Sequence, residues 1–168
     1  MIIDSKKRSF GKGSKVSLFT LGTMRATENL DKMYNIIKNA YFVGINHIET
    51  AASYGDAEVL IGSALKKLEK EENIPERNWV ITTKVLPKGN FNYLRNNFEN
   101  SLKNLSLKKI DNLAIHGLNL KKHLDWVLFG EGNKFISWIL KEGLVDQVGF
   151  SSHGSYSLIQ KAINCEVF

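Results

Sequence analysis

The sequence predicts an α/β fold in which parallel strands are wrapped by helices. Two observations carry this. Short apolar, β-branched runs alternate with longer stretches whose apolar residues recur at helical spacing. Of 168 residues, 43% are hydrophobic and 24% charged, which suits one globular domain with a real core and excludes global disorder. No repeat, low-complexity tract or linker interrupts the pattern.

The elements follow in chain order. Residues 8–13 and 15–19 read as a short hairpin turning at Gly11 and Gly13. Residues 18–24 read as a buried strand ending in Gly22-Thr23. Thr27 is the expected N-cap of a helix with Leu30, Met33, Ile36, Ile37, Ala40 and Tyr41 on its apolar face, stopped by Gly44. A second strand spans 45–51. Asp56 is expected to cap the next helix, whose face is Leu60, Ile61, Ala64, Leu65 and Leu68. After Pro75 a third strand spans 79–85, and Phe91, Leu94, Phe98, Leu102 and Leu105 mark a helix. A fourth strand covers 113–115. Phe135, Ile136, Ile139 and Leu140 mark a helix ended by Gly143. A fifth strand covers 147–150, a short helix 155–162, and a sixth strand is expected to begin at 165–168. Two arrangements fit this order, an open doubly wound sheet and a (β/α)₈ barrel. The turn Gly22-Thr23-Met24-Arg25 has no G-x-G-x-x-G, which weakens a Rossmann sheet and leaves other doubly wound sheets open.

Polar residues collect at the C-terminal ends of these strands. Glu49 lies near the end of the second, Lys84 near the end of the third and His116 after the fourth; Tyr54 follows the second in its loop. In a barrel those ends open onto one face, where active sites are assembled from several strands. A lysine and a glutamate at buried strand ends need each other, because an unpaired buried charge is costly. A lysine beside a tyrosine stabilises the phenolate and readies the hydroxyl to give up a proton. A neighbouring histidine can orient a carbonyl. Each residue alone reads as an ordinary ion pair, turn or strand end; the four in order carry the reading.

At these residues a resemblance becomes specific. Residues 44–55 (GINHIETAASYG) resemble the aldo-keto reductase segment G-I-N-x-x-D-T-A-x-x-Y-G. Residues 81–84 (ITTK) resemble the family's strand ending in a catalytic lysine, and residues 112–116 (NLAIH) its strand ending in a catalytic histidine. Residues 143–152 (GLVDQVGFSS) are similar to G-K-I-R-x-I-G-V-S-N. The resemblance implies an incomplete (β/α)₈ TIM-type barrel of about five and a half βα units. It implies an oxidoreductase in which NADPH reduces an aldehyde or ketone. Tyr54 would protonate the carbonyl oxygen, Lys84 and Glu49 would support it, and His116 would orient the substrate. Ser151 and Ser152 would approach the nicotinamide, with Gly22, Thr23 and Met24 beside it. Position 49 is Glu where most members have Asp, and 152 is Ser where Asn is common. Residues 149–154 (GFSSHG) also resemble a branch that often carries an iron–sulfur extension, but one cysteine cannot hold a cluster.

Composition sets the remaining bounds. The net charge of +6 is compatible with an anionic partner, but Lys and Arg are interspersed with acids, so no nucleic-acid or membrane partner is expected. Cys165 excludes an intramolecular disulfide, and His47, His123 and His153 show no metal-ligand spacing. Residues 1–10 lack the apolar stretch of a secretory signal, and a cytoplasmic location is expected. The chain is read as a single partial domain, 1–168, because a full barrel takes about 250 residues. In the family the last units clamp the cofactor's phosphates. The expected alternative is therefore a truncated, non-catalytic fragment that self-associates through open barrel edges.

Overall fold

In the computed structural model, which describes residues 7–168, strands and helices alternate as the periodicities predict. The expectation about a leader draws partly on residues 1–6, which lie outside the described residues. An antiparallel hairpin comes first, β1 (Arg8–Ser9) with β2 (Lys15–Val16). The sheet follows with β3 (Leu21–Gly22), β4 (His47–Glu49), β5 (Val80–Val85), β6 (Ile110–Ile115) and β7 (Val145–Phe150). All five are parallel and pair in chain order. The connecting helices are α1 (Leu30–Phe42), α2 (Ala57–Glu72), α3 (Phe91–Leu105), and the pair α4 (Lys121–Phe129) and α5 (Glu131–Lys141); α6 (Tyr156–Ile163) follows β7. Consecutive strands that are also neighbours, each joined by helix, form the wall of a barrel. A doubly wound sheet would instead reverse its strand order at a switch point.

Alternation along the strands gives this wall two faces. Ile48, Ile81, Leu113 and Ile115 point outward and are almost fully buried, packing in one cluster with Phe98 of α3 and Phe135 of α5. Burial of each such side chain contributes about 1.5–3 kcal/mol relative to exposure. The inner face is polar. His47 Nε2 meets Thr82 Oγ1 at 2.8 Å, and Asn112 Nδ2 donates to the same oxygen at 3.2 Å. Thr20 Oγ1 lies 2.9 Å from His47 Nδ1, so both ring nitrogens are engaged and His47 is structural.

Below this layer the hairpin closes the N-terminal end of the sheet. Gln147 Oε1 accepts from the backbone N–H of Lys12 (2.8 Å) and Gly13 (3.3 Å), and its Nε2 donates to Phe10 O at 2.8 Å. Gly11 is required here: it has φ +56°, and a Cβ would lie 2.1 Å from Gln147 Oε1. With that end plugged, groups on the inner face reach solvent at the C-terminal end.

Five expectations need correction. Asn29, not Thr27, caps α1, accepting from Lys32 N at 2.9 Å. Asp56 occupies the N-cap of α2, but its side chain makes no capping bond. Of residues 18–24 only Leu21 and Gly22 pair as strand, and Leu18 and Met24 are more than half exposed, because β3 has a partner on one side alone. Helix α4 was not foreseen. Residues 165–168 do not form a strand: Glu166 takes φ +59°, which breaks an extended run, although Phe168 still packs on Phe150 at 4.8 Å.

Candidate active site

The C-terminal strand ends converge as a barrel requires. Lys84 near the end of β5 is buried, and its ammonium contacts Glu49 at the end of β4. Lys84 Nζ also donates to Thr50 O at 2.8 Å and to Tyr54 Oη at 3.1 Å. The ammonium stands 4.5 Å from the Tyr54 ring centroid. His116, following β6, packs edge-on to Tyr54 with centroids 5.6 Å apart, and its Nδ1 lies 3.2 Å from Ser53 Oγ. The turn that presents Tyr54 is closed by Tyr54 N donating to Ala51 O at 3.0 Å.

Burial pushes Lys84 down to about 8. The Glu49 carboxylate acts the other way, favouring the ammonium. Burial also lowers His116, with the charges of Lys84 and His153 adding to it, which favours a neutral imidazole there. The ensemble is a buried cation touching a phenol oxygen, beside a neutral ring able to orient a carbonyl.

Glu49, Tyr54, Lys84, His116 and Ser151 line one cavity of about 500 Å³. The other expected cofactor residues are not in its lining. Gly22 lies beside Glu49 in register, and Thr23 is buried, holding Glu49 O through its N–H (3.1 Å) and Oγ1 (3.0 Å). Met24 is exposed. The Ser152 hydroxyl is engaged within its own loop, donating to Leu118 O at 2.6 Å and accepting from Gly154 N at 2.9 Å. Sequence reasoning missed the contributions of Ser53, Thr50 and Lys88. His123 and His153, read from the sequence as structural or exposed, are half-buried with loop hydrogen bonds and exposed respectively, and both also line this cavity. A larger hollow of about 940 Å³ lies at the opposite end, around Lys15, Arg77 and Trp79. It holds none of the converging groups, so volume alone does not mark the chemistry.

Comparison with known proteins bears on the family and the fold. The Aldo/keto reductase family profile matches residues 19–167. D-arabinose 1-dehydrogenase of Saccharomyces cerevisiae is 32% identical over 125 residues, covering 71% of this chain and 36% of the relative. An uncharacterised oxidoreductase of Bacillus subtilis, YtbE, is 28% identical over 151 residues, covering 87% and 50%. Among solved structures, a protein of Pseudomonas aeruginosa described as an aldo-keto reductase superposes with TM-score 0.79 at 25% identity, covering 98% of this chain and 67% of that one. A Bombyx mori aldo-keto reductase in complex with NADP superposes with TM-score 0.72 at 20% identity, covering 99% and 56%.

The fold is that of part of a (β/α)₈ barrel, represented among the described residues by five parallel strands. The chain belongs to the aldo-keto reductase family. It spans about a third to a half of the length of these two curated relatives.

Proposed function

We propose that this chain carries the catalytic face of an NADPH-dependent carbonyl reductase. The observation that carries the reading is the three-way contact of Lys84 Nζ with Glu49, Thr50 O and Tyr54 Oη. The residues fit the nicotinamide end of such a cofactor: a Cβ at Gly22 would meet nothing within 4 Å, so the end of β3 offers an open surface next to Glu49. Gly22, Thr23, Met24, Ser151 and Ser152 would border the ring. When bound, NADPH supplies the hydride that reduces the carbonyl carbon.

The chain's own residues handle the oxygen. His116 orients the carbonyl, and the Tyr54 hydroxyl donates its proton to the developing alkoxide. The phenolate left behind faces the Lys84 ammonium, which Glu49 holds in place. Thr23 fixes the backbone of Glu49, and Thr50 O fixes the reach of Lys84. The substrate is a small-molecule carbonyl compound.

The test is aldehyde-dependent loss of nicotinamide absorbance with the purified chain. Turnover should fall by about 100-fold or more in Tyr54→Phe. Absence of turnover at millimolar NADPH sinks the reading for this chain. A second reading, a non-catalytic piece acting by association, is favoured by one observation. Among the described residues, β3 and β7 each pair on one side alone.

A further inference from the structure

We propose that the carbonyl compound accepted here bears an anionic group, carboxylate or phosphate, and that Lys88 at the cavity rim receives it. This deepens the carbonyl-reductase reading and rests on it.

The charge around the cavity is one-sided. Among the described residues Glu49 is the only acid in its lining, and its carboxylate is already engaged by Lys84. Lys88 lines the same cavity from the loop between β5 and α3, is exposed, and its ammonium has no partner among the described residues. Its backbone is nonetheless fixed: Lys88 N donates to Leu86 O at 2.8 Å, and Gly89 turns the chain with φ +83°. The loop therefore fixes the backbone from which Lys88 reaches the rim, and no described residue neutralises its ammonium.

The facing loops add hydrogen-bonding capacity without acid. His123 Nδ1 lies 3.1 Å from Gly117 O and 3.2 Å from Asn119 N, donating to the first or accepting from the second by tautomer, and its other nitrogen has no partner among the described residues. His153 is positioned by its backbone N–H donating to Asn119 Oδ1 at 2.7 Å. His116 and Lys84 occupy the floor, where the carbonyl oxygen would sit. A bound molecule thus meets proton-transfer groups at one end and an uncompensated cation with two imidazoles at the other. An anion at a rim keeps part of its hydration and gains the attraction of Lys88. An uncharged compound gains nothing from it, and a cationic one is repelled.

The experiment is equilibrium binding to the whole chain by ligand-observed NMR at low salt. Two matched pairs serve as probes: 4-carboxybenzaldehyde against 4-formylbenzamide, and glyceraldehyde 3-phosphate against glyceraldehyde. The charged member of at least one pair should bind about fivefold tighter or more, and 0.5 M salt should remove most of that advantage. Lys88→Glu should lower the charged-to-uncharged ratio by about fivefold or more. An advantage confined to the first pair identifies a carboxylate, and one confined to the second a phosphate. Equal affinities within both pairs, no binding of either charged probe, or a ratio unmoved by Lys88→Glu overturns the proposal. The two readings fail separately. A preference for anions without NADPH turnover sinks the catalytic reading, whereas turnover of uncharged aldehydes with no anion preference sinks this one alone.

Discussion

Lys84 sits where burial and its partners oppose each other. Desolvation brings its pKa to about 8 from an ordinary value near 10.5, so between those values the unfolded chain holds a proton that the folded chain releases. Stability from this group therefore rises with pH through that window and is lowest below pH 8. The stability difference between the wild type and Lys84→Met, measured by urea unfolding at pH 7, 8.5 and 9.5, is expected to move in favour of the wild type as pH rises. A flat difference would show that Glu49 fully offsets the burial. His47 gives the complementary case at acid pH. Burial lowers it to about 4, so its stabilising contribution is present above pH 6.5 and lost as pH falls toward 4. His47→Gln should reduce the loss of melting temperature between pH 6.5 and 4.5. The four converging side chains were legible in the sequence because each combines a reactive residue type with a strand end or, for Tyr54, the loop that follows one. Thr50 was not, because it acts through its carbonyl, and Thr23, expected beside the cofactor, was not foreseen as the group that holds the carbonyl of Glu49. His123 and His153 stayed hidden because loops separated in sequence bring them to the cavity.

At the scale of elements, α2 is locked against β5 and α3 by one buried acid. Glu58 is 2% exposed, and its carboxylate accepts from Thr83 Oγ1 at 2.6 Å and from Asn104 Nδ2 at 3.4 Å. Thr83 adjoins Lys84, so this lock also holds the strand that presents the ammonium. Glu58→Ala leaves the Thr83 hydroxyl without its acceptor and should cost about 1–3 kcal/mol in urea unfolding, with Glu58→Gln recovering much of it. One turn further, Gly62 lets α2 lie directly on the end of α3. A Cβ there would come within 2.5 Å of Asn104 O and 2.7 Å of Leu105 O. These are backbone atoms that cannot swing aside, so Gly62→Ala should cost about 1–3 kcal/mol despite its better helix propensity. Helices with a strong apolar stripe, such as α1 and α3, were readable from spacing alone. Helix α4 was not: Leu120 at its N-cap offers no capping side chain, and Gly130 joins it to α5 with no loop between. Trp126 packs over Gly132, where a Cβ would lie 2.4 Å from the indole, so tertiary packing defines that corner. The misplaced cap at Thr27 has a similar cause, since Asn29 two residues on offers the better acceptor.

At the scale of the molecule, the hairpin closes one end of the sheet and the proposed catalytic groups open at the other, but among the described residues the wall has two free edges. Strand β3 ends the sheet on one side and β7 on the other, each with backbone groups unpaired outward among the described residues. Exposed apolar side chains precede β3, and another ends the helix that follows β7. Leu18 and Phe19 precede β3 and are 59% and 71% exposed, and Ile163 at the end of α6 is 62% exposed. An uncovered parallel edge flanked by apolar groups invites pairing with another chain, and nothing beside β3 supplies the charge or proline that would discourage it. The expected outcome is concentration-dependent association of this 19.0 kDa chain, seen as a light-scattering mass that rises above the monomer value between about 5 and 200 μM. Phe19→Lys places a gatekeeping charge beside β3 and should return the mass toward the monomer. Since Phe19 is exposed, the variant should unfold at the same urea concentration as the wild type. A mass of 19.0 kDa at every concentration would show that the two edges do not recruit a second chain. In that case the five strands hold the tetrad geometry without a partner, and the turnover assay reports on a monomer.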